Sequence, residues 1–319
     1  MKKLFVCVMA AMVALASCSK TEMVETSAPQ EIGFKAVTGK MTKGSQTTAT
    51  FHQTLGVFAY VNDESGPRKY FTNAEFKENE NSTTVEVVDP DDETTTVTLH
   101  TWEGTTPRYW PIKSSLDFIV YSPWVEGASV TDNVLSVIVA DNSTNQYDFM
   151  YGSEYYDGFT KSATYVPVNL EHALALVTVK FTLEEGVTLT SAYLKDTYQT
   201  GTYKVNYSTT PVGFSWNNQP EGTDTYDLAL TTTNESKSSF MVVPSTATSI
   251  SISYRMSGMD VNENNNPVPD LKHTINLSET WQHGYHYTYN VSIAANAIKF
   301  VPTVSPWQTG RTTSDVTVE

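Results

Sequence analysis

Apolar side chains recur at every second position through most of this chain, in short runs rich in Val, Ile, Thr, Tyr and Phe. A strand turns successive side chains to opposite faces, so this spacing builds half-buried strands, whereas a helix needs apolar residues three and four apart. The clearest run places Tyr285, Tyr287, Tyr289, Val291 and Ile293 on one side and His286, Thr288, Asn290 and Ser292 on the other. It predicts a strand with one dry face and one wet face. Leu55-Val57-Ala59-Val61, Leu135-Val137-Val139 and Ile250-Ile252-Tyr254 repeat the pattern. The more continuous run Ala173 to Phe181 predicts a strand buried on both faces for part of its length, central in its sheet. Clusters of Gly, Pro, Asn and Asp separate the runs, and amphipathic helix patterns are missing, so the expected fold is all-β.

Residues 83–99 read as a hairpin, with Val85 and Val87 on one arm and Val97 and Leu99 on the other. The connection Asp89-Pro90-Asp91-Asp92-Glu93 makes a calcium site conceivable, but it lacks the spaced ligands and turn glycine of an EF-hand loop, which favours a solvated turn. The polar stretches 217–225 and 260–270 are expected as surface loops. A length of 319 residues exceeds one sandwich domain of roughly 100–150 residues, so two domains are expected. The boundary is placed near Pro167: an N-terminal sandwich over 31–167 and a C-terminal sandwich over 168–319, with 18–30 as a flexible tether.

The N-terminus opens with Met1-Lys2-Lys3 and an apolar run to Ala14, too short for a bilayer span and suited to a signal peptide over 1–17. It closes with Leu15-Ala16-Ser17-Cys18, which resembles a bacterial lipobox and implies that Cys18 becomes a lipidated first residue at the outer membrane. Ser19-Lys20-Thr21-Glu22 resembles an export signal of surface lipoproteins, which favours the outer face. Several acyl chains at about 0.8 kcal/mol per buried CH₂ hold a protein firmly to a membrane. The two cysteines are Cys7 and Cys18, so the mature chain has none left for a disulfide, a thiolate metal site or a nucleophile. The formal charge is -15, and loss of Lys2 and Lys3 with the signal makes it more negative. An acidic surface repels nucleic acid, so no nucleic-acid partner is expected.

The residues offer little chemistry. The histidines are His52, His100, His172, His273, His283 and His286. In a strand the odd spacing of His283 and His286 sends their rings to opposite faces, away from a shared metal. There is no nucleophile elbow, P-loop, Gly-x-Gly-x-x-Gly or His-Glu-x-x-His. The acid pairs Glu184-Glu185 and Asp91-Asp92 diverge on a strand or turn instead of facing each other across a glycosidase cleft. Trp102, Tyr109, Trp110, Tyr121, Trp124 and Trp216 suit sandwich cores and also suit sugar platforms, with the core favoured. The expectation is a protein that is no enzyme, with no catalytic residue, no bound metal and no cofactor.

Several segments together resemble the fimbrillin-like pilin family of Bacteroidales, whose members form type V pili. They are the Cys18 lipobox, Glu31-Ile32-Gly33-Phe34 followed by a Thr-basic dipeptide, Leu170-Glu171-His172-Ala173-Leu174-Ala175-Leu176-Val177, Trp281 to Val291, and Val304-Ser305-Pro306-Trp307. Each is short, but their order spans the mature chain. The resemblance implies two transthyretin-like (Greek-key) β-sandwich domains in tandem, exported as a lipoprotein and cut near the N-terminus by a protease. It further implies a first strand that leaves after the cut, here with Ile32, Phe34 and Ala36 buried. Candidate cleavage residues are Lys43, then Lys40 and Lys35; lysine where relatives commonly carry arginine widens the protease to any Lys/Arg-specific enzyme. The donor strand would lie in the C-terminal tail, with Val316 and Val318 filling pockets and Ile298 to Val301 preceding it. The implied partners are other pilin subunits and, through adhesion, a host or glycan receptor. The alternative is a surface glycan-binding lipoprotein that keeps its lipid, and a hydrolase is a distant third.

Overall fold

The computed structural model describes residues 29–38, 54–63, 66–79, 83–88, 94–111, 114–139, 147–156, 165–198, 200–209, 212–218, 224–228, 235–245, 249–259, 262, 266–294 and 297–306. Among these residues the fold is all-β, with no helix. The largest sheet contains β1 (Gly33–Thr38), β2 (Thr54–Asp63), β3 (Gly66–Glu78), β4 (Thr83–Val88), β5 (Thr94–Gly104) and β6 (Ser115–Ser122). It is completed by β9 (Met150–Tyr156), β10 (Tyr165–Pro167) and β11 (Glu171–His172). Its order is β10-β1-β5-β3-β2-β6-β9-β11, with β4 paired to β5. A second sheet, ordered β15-β14-β8-β7, holds β7 (Ser129–Thr131), β8 (Val134–Val139), β14 (Gly201–Asn206) and β15 (Gly213–Asn218).

The third sheet is β17-β12-β20-β21, from β12 (Ala175–Leu183), β17 (Glu235–Val242), β20 (Tyr285–Ile293) and β21 (Ile298–Pro306). The fourth is β16-β13-β18-β19, from β13 (Val187–Thr197), β16 (Asp224–Asp227), β18 (Ser249–Met256) and β19 (Leu271–Asn276).

Alternation along each strand divides the apolar side chains among three cores. Leu55, Val57, Ala59 and Val61 of β2 meet Leu116, Phe118 and Val120 of β6 in the first. The opposite faces of the same strands send Phe58, Ile119 and Tyr121 into a middle core against Leu135, Val137, Tyr203 and Val205. The third and fourth sheets close on Val177, Val179, Leu194, Ile250, Ile252, Tyr289 and Val291. As its continuous apolar run predicts, β12 lies inside its sheet, sending Ala175, Val177 and Val179 to one core and Leu176 to the middle one. Burial on both faces is what a run without polar interruptions requires.

Two features depart from the local reading. The polar stretch 217–225 is partly strand: Asn217 and Asn218 pair with Thr202 and Gly201, and Asp224 pairs with Thr197. Cross-strand pairing overrides the turn-like composition there. His283 precedes β20 in a turn whose Gly284 has φ +71, so the opposite-face argument for His283 and His286 does not apply. Its ring instead stacks on Phe214 with centroids 4.0 Å apart. The hairpin expected over 83–99 is present as β4 and β5, with Val85 opposite Val97; its acidic connection lies outside the described residues.

Candidate functional site

The segment from Gln30 to Thr38 is an interior member of the large sheet. It begins beside the loop after β5: the Ile32 amide donates to the Arg108 carbonyl at 2.7 Å, and the Trp110 amide donates to the Gln30 carbonyl at 3.0 Å. β1 then runs antiparallel to β5, from Gly33 opposite Glu103 to Thr38 opposite Thr98. On its other side it runs parallel to β10, with Gly33, Phe34 and Lys35 opposite Tyr165, Val166 and Pro167. The Val168 amide extends this edge by donating to the Lys35 carbonyl at 2.9 Å. β1 therefore fills a slot between two strands that both come later in the chain.

The alternating side chains of this strand enter the first core. Ile32 is 2% exposed and Phe34 fully buried, while Ala36 packs partly buried at the rim. Phe34 meets Phe76 and Phe118 edge-on, with centroids at 4.9 and 5.2 Å and planes at 85° and 89°. Such edge contacts set the positive rim of one ring against the negative face of another. Glycine is required at position 33, because a Cβ there would sit 2.5 Å from the Tyr165 ring. That close approach lets Tyr165 reach over the strand and donate its hydroxyl to Glu103 Oε1 at 2.9 Å, from β10 to β5. Burial raises the Tyr165 pKa and the Glu103 carboxylate raises it further, so the phenol keeps the proton it donates. The result is a polar clasp across the outer surface of β1.

The other expected site residues fall in different places. Lys35 lies within β1, opposite Thr101 and Pro167. Ile298 to Val301 form the start of β21, where Ile298 and Phe300 pack against the C-terminal core and the six residues from Val301 to Pro306 are exposed. Cys18, Lys40, Lys43, Val316 and Val318 lie outside the described residues.

The aromatic candidates sit mainly in cores: Trp102 and Tyr121 are buried, and Trp110, Trp124 and Trp216 pack against core clusters, whereas Tyr109 is exposed. Tyr121 is held by its hydroxyl, which donates to Asn73 Oδ1 at 2.6 Å. Buried His172 pairs with buried Asp148 at 2.9 Å, joining the start of the C-terminal half to the segment before β9. No group of His, Cys, Asp and Glu able to hold a metal occurs among the described residues.

The strand β10 and its Tyr165 are not evident from local sequence. A three-residue run next to a proline carries little periodicity, and only its position beside β1 gives it a role.

Fold and site together define a β-strand scaffold built for packing, without a constellation for bond-making chemistry among the described residues. The chain belongs to the fimbrillin-like family, whose model matches residues 40–307. That is a family of fimbrial structural proteins and not of enzymes. Among solved structures, a candidate cell adhesion protein from Bacteroides ovatus ATCC 8483 aligns with a TM-score of 0.55 and 16% identity, covering 88% of this chain and 99% of its own. Another, from Bacteroides uniformis ATCC 8492, aligns with a TM-score of 0.52 and 14% identity over 87% of this chain and 99% of its own. At such identities the likeness speaks for the fold alone. No curated protein matches the chain.

Proposed function

We propose that this chain is a structural or tip subunit of a type V pilus, assembled by head-to-tail β-strand exchange and supporting cell adhesion. On this reading it is exported as a lipoprotein through Cys18 and built of two transthyretin-like sandwiches that meet near Pro167, with β7 and β8 joined to β14 and β15 in one sheet. The observation that carries the proposal is the setting of β1, an interior strand that places Ile32 and Phe34 in the first core. Burying an Ile- or Phe-sized side chain contributes roughly 1.5–3 kcal/mol, so the pair holds the strand with about 3–6 kcal/mol beyond its ladder bonds. That holds the strand against spontaneous loss, but a neighbour's strand can match it once a protease cuts the connection.

Removal of β1 would open unpaired backbone groups on both β5 and β10 and empty the Ile32 and Phe34 pockets. An incoming strand with alternating apolar residues satisfies such a slot by β-augmentation. Because the contact is head-to-tail and does not close, it propagates a filament. Cleavage after Lys43 or Lys40 lies beyond Thr38 and would free β1 whole; cleavage after Lys35 would divide a strand whose carbonyls are already hydrogen-bonded. The donor is the tail after β21, with Val316 and Val318 as its pocket residues, and the exposed run Val301 to Pro306 supports a tail that leaves from the surface.

Limited trypsin treatment followed by an unboiled gel tests the reading. The intact chain should yield a polymer ladder after cleavage, and deletion of residues 309–319 should leave a folded, cleavable monomer without a ladder. Polymers that persist in the deleted chain would overturn the proposed donor.

A further inference from the structure

The outer face of the β17-β12-β20-β21 sheet carries a pattern that strand exchange does not use. Residues paired directly across strands share a face, so Ser239, Thr178, Thr288 and Thr303 form one row. The next row is Lys237, Lys180, Asn290 and Val301, and the one beyond it is Glu235, Thr182, Ser292 and Lys299. The face therefore carries hydroxyl and amide groups, with Thr178 fully buried and Ser239, Thr288 and Asn290 partly exposed, and it sets Lys180 and Lys237 side by side with Lys299 near its edge. All three lysines are exposed. Glu235, at the end of β17, is the one carboxylate position in these rows.

Two like charges directly opposite each other destabilise a sheet. Neither Lys180 nor Lys237 forms an ion pair with a described carboxylate, although acids outnumber bases by 35 to 20 in the chain. The field of the two ammonium groups reaches His286, whose pKa is lowered first by burial and then by Lys237 and Lys180. The hydroxyl row beside them is fixed in place: Thr178 Oγ1 lies 2.8 Å from Ser239 Oγ and 2.9 Å from His286 Nε2. The partly exposed Ser239 and Thr288 hydroxyls and the Asn290 amide offer donors and acceptors beside the paired cations.

We propose that this face binds an anionic polysaccharide, a chain of sugars bearing carboxylate or sulfate groups. Lys180 and Lys237 hold the acidic substituent, while Ser239, Thr288 and Asn290 exchange hydrogen bonds with sugar hydroxyls. Charge complementarity selects an anionic ligand, and the hydroxyl and amide rows select a sugar over an acidic peptide. The chain's overall negative charge removes long-range attraction, so binding is short-ranged and weakens as salt screens beyond about 8–10 Å.

The test uses the full mature chain with three soluble probes: heparin as the sulfated polysaccharide, dextran as the neutral one and polyglutamate as the acidic peptide. Heparin should bind at low salt, with dextran and polyglutamate far weaker. Lys180→Glu/Lys237→Glu should weaken heparin binding about tenfold or more, since each charge-assisted contact contributes about one decade. Lys69→Glu/Lys204→Glu makes the same change of net charge at exposed positions in other sheets and should leave binding near the wild-type level. The milder Lys180→Gln/Lys237→Gln pair, with an unchanged unfolding midpoint, should show the loss without a folding defect. Absence of heparin binding, equal binding of polyglutamate, or equal losses in the two glutamate pairs would overturn the proposal. None of these outcomes depends on polymerisation, so failure here is distinguishable from failure of strand exchange.

Discussion

Phe34→Ala is the sharpest probe of whether β1 can leave without unfolding the domain. Phe34 is fully buried and touches Phe76 and Phe118 edge-on, so the substitution removes its transfer energy and leaves a cavity. A Phe→Ala change of this kind costs about 3–5 kcal/mol, within which the two ring pairs account for about 0.5–1.5 kcal/mol each. If β1 is a separable plug, that cost falls mainly on its docking. Opening of the slot should then become more frequent by a hundredfold or more, at about 1.4 kcal/mol per decade. Native-state hydrogen exchange reads this directly. Amides of β1 and their partners in β5 and β10 should exchange faster by that factor, while those of β12 and β20 in the third sheet hold their wild-type rates. If β1 amides instead exchange only together with β2 and β6, in the wild type and the variant alike, the strand leaves only when the domain unfolds. The plug argument would then be refuted.

Two other perturbations test the packing. At Gly56 a Cβ would lie 2.1 Å from the Tyr121 ring, which hydrogen bonds to Asn73 and Val125 hold in place. Gly56→Ala should therefore destabilise the fold by about 1–3 kcal/mol, as overpacking does, measured by denaturant midpoint at constant slope; an unchanged midpoint would show that the ring yields. Burial lowers the His283 pKa from its ordinary 6.5, so the folded state binds fewer protons than the unfolded state below that pH. Its contribution is fully present above pH 6.5 and is lost as pH falls from there through the lowered folded value. His283→Phe, which keeps an aromatic ring against Phe214, should flatten part of the decline in stability as pH falls below 6.5. Parallel curves for the two proteins would show that His283 does not titrate across the transition.

The strands and their buried faces were legible in the sequence because side-chain alternation is a local property. Tyr287, Tyr289, Val291 and Ile293 are buried as their spacing predicts, whereas Tyr285 at the start of the strand is exposed, and the hairpin of β4 and β5 follows from two valine-bearing arms around a turn. Absence of catalytic motifs was likewise readable, since such chemistry needs particular residue types at particular spacings. Strand pairing was not readable, because a hydrogen-bond ladder can join any two extended segments and its choice depends on how whole faces pack. Only the tertiary structure decided that β1 lies between β5 and β10, with Tyr165 reaching over Gly33 to Glu103. It also decided that β7 and β8 join β14 and β15 across Pro167 in a single sheet. The physical reason is range: periodicity acts over a few residues, whereas the choice of neighbours is made by apolar surfaces far apart in the chain that must be buried together.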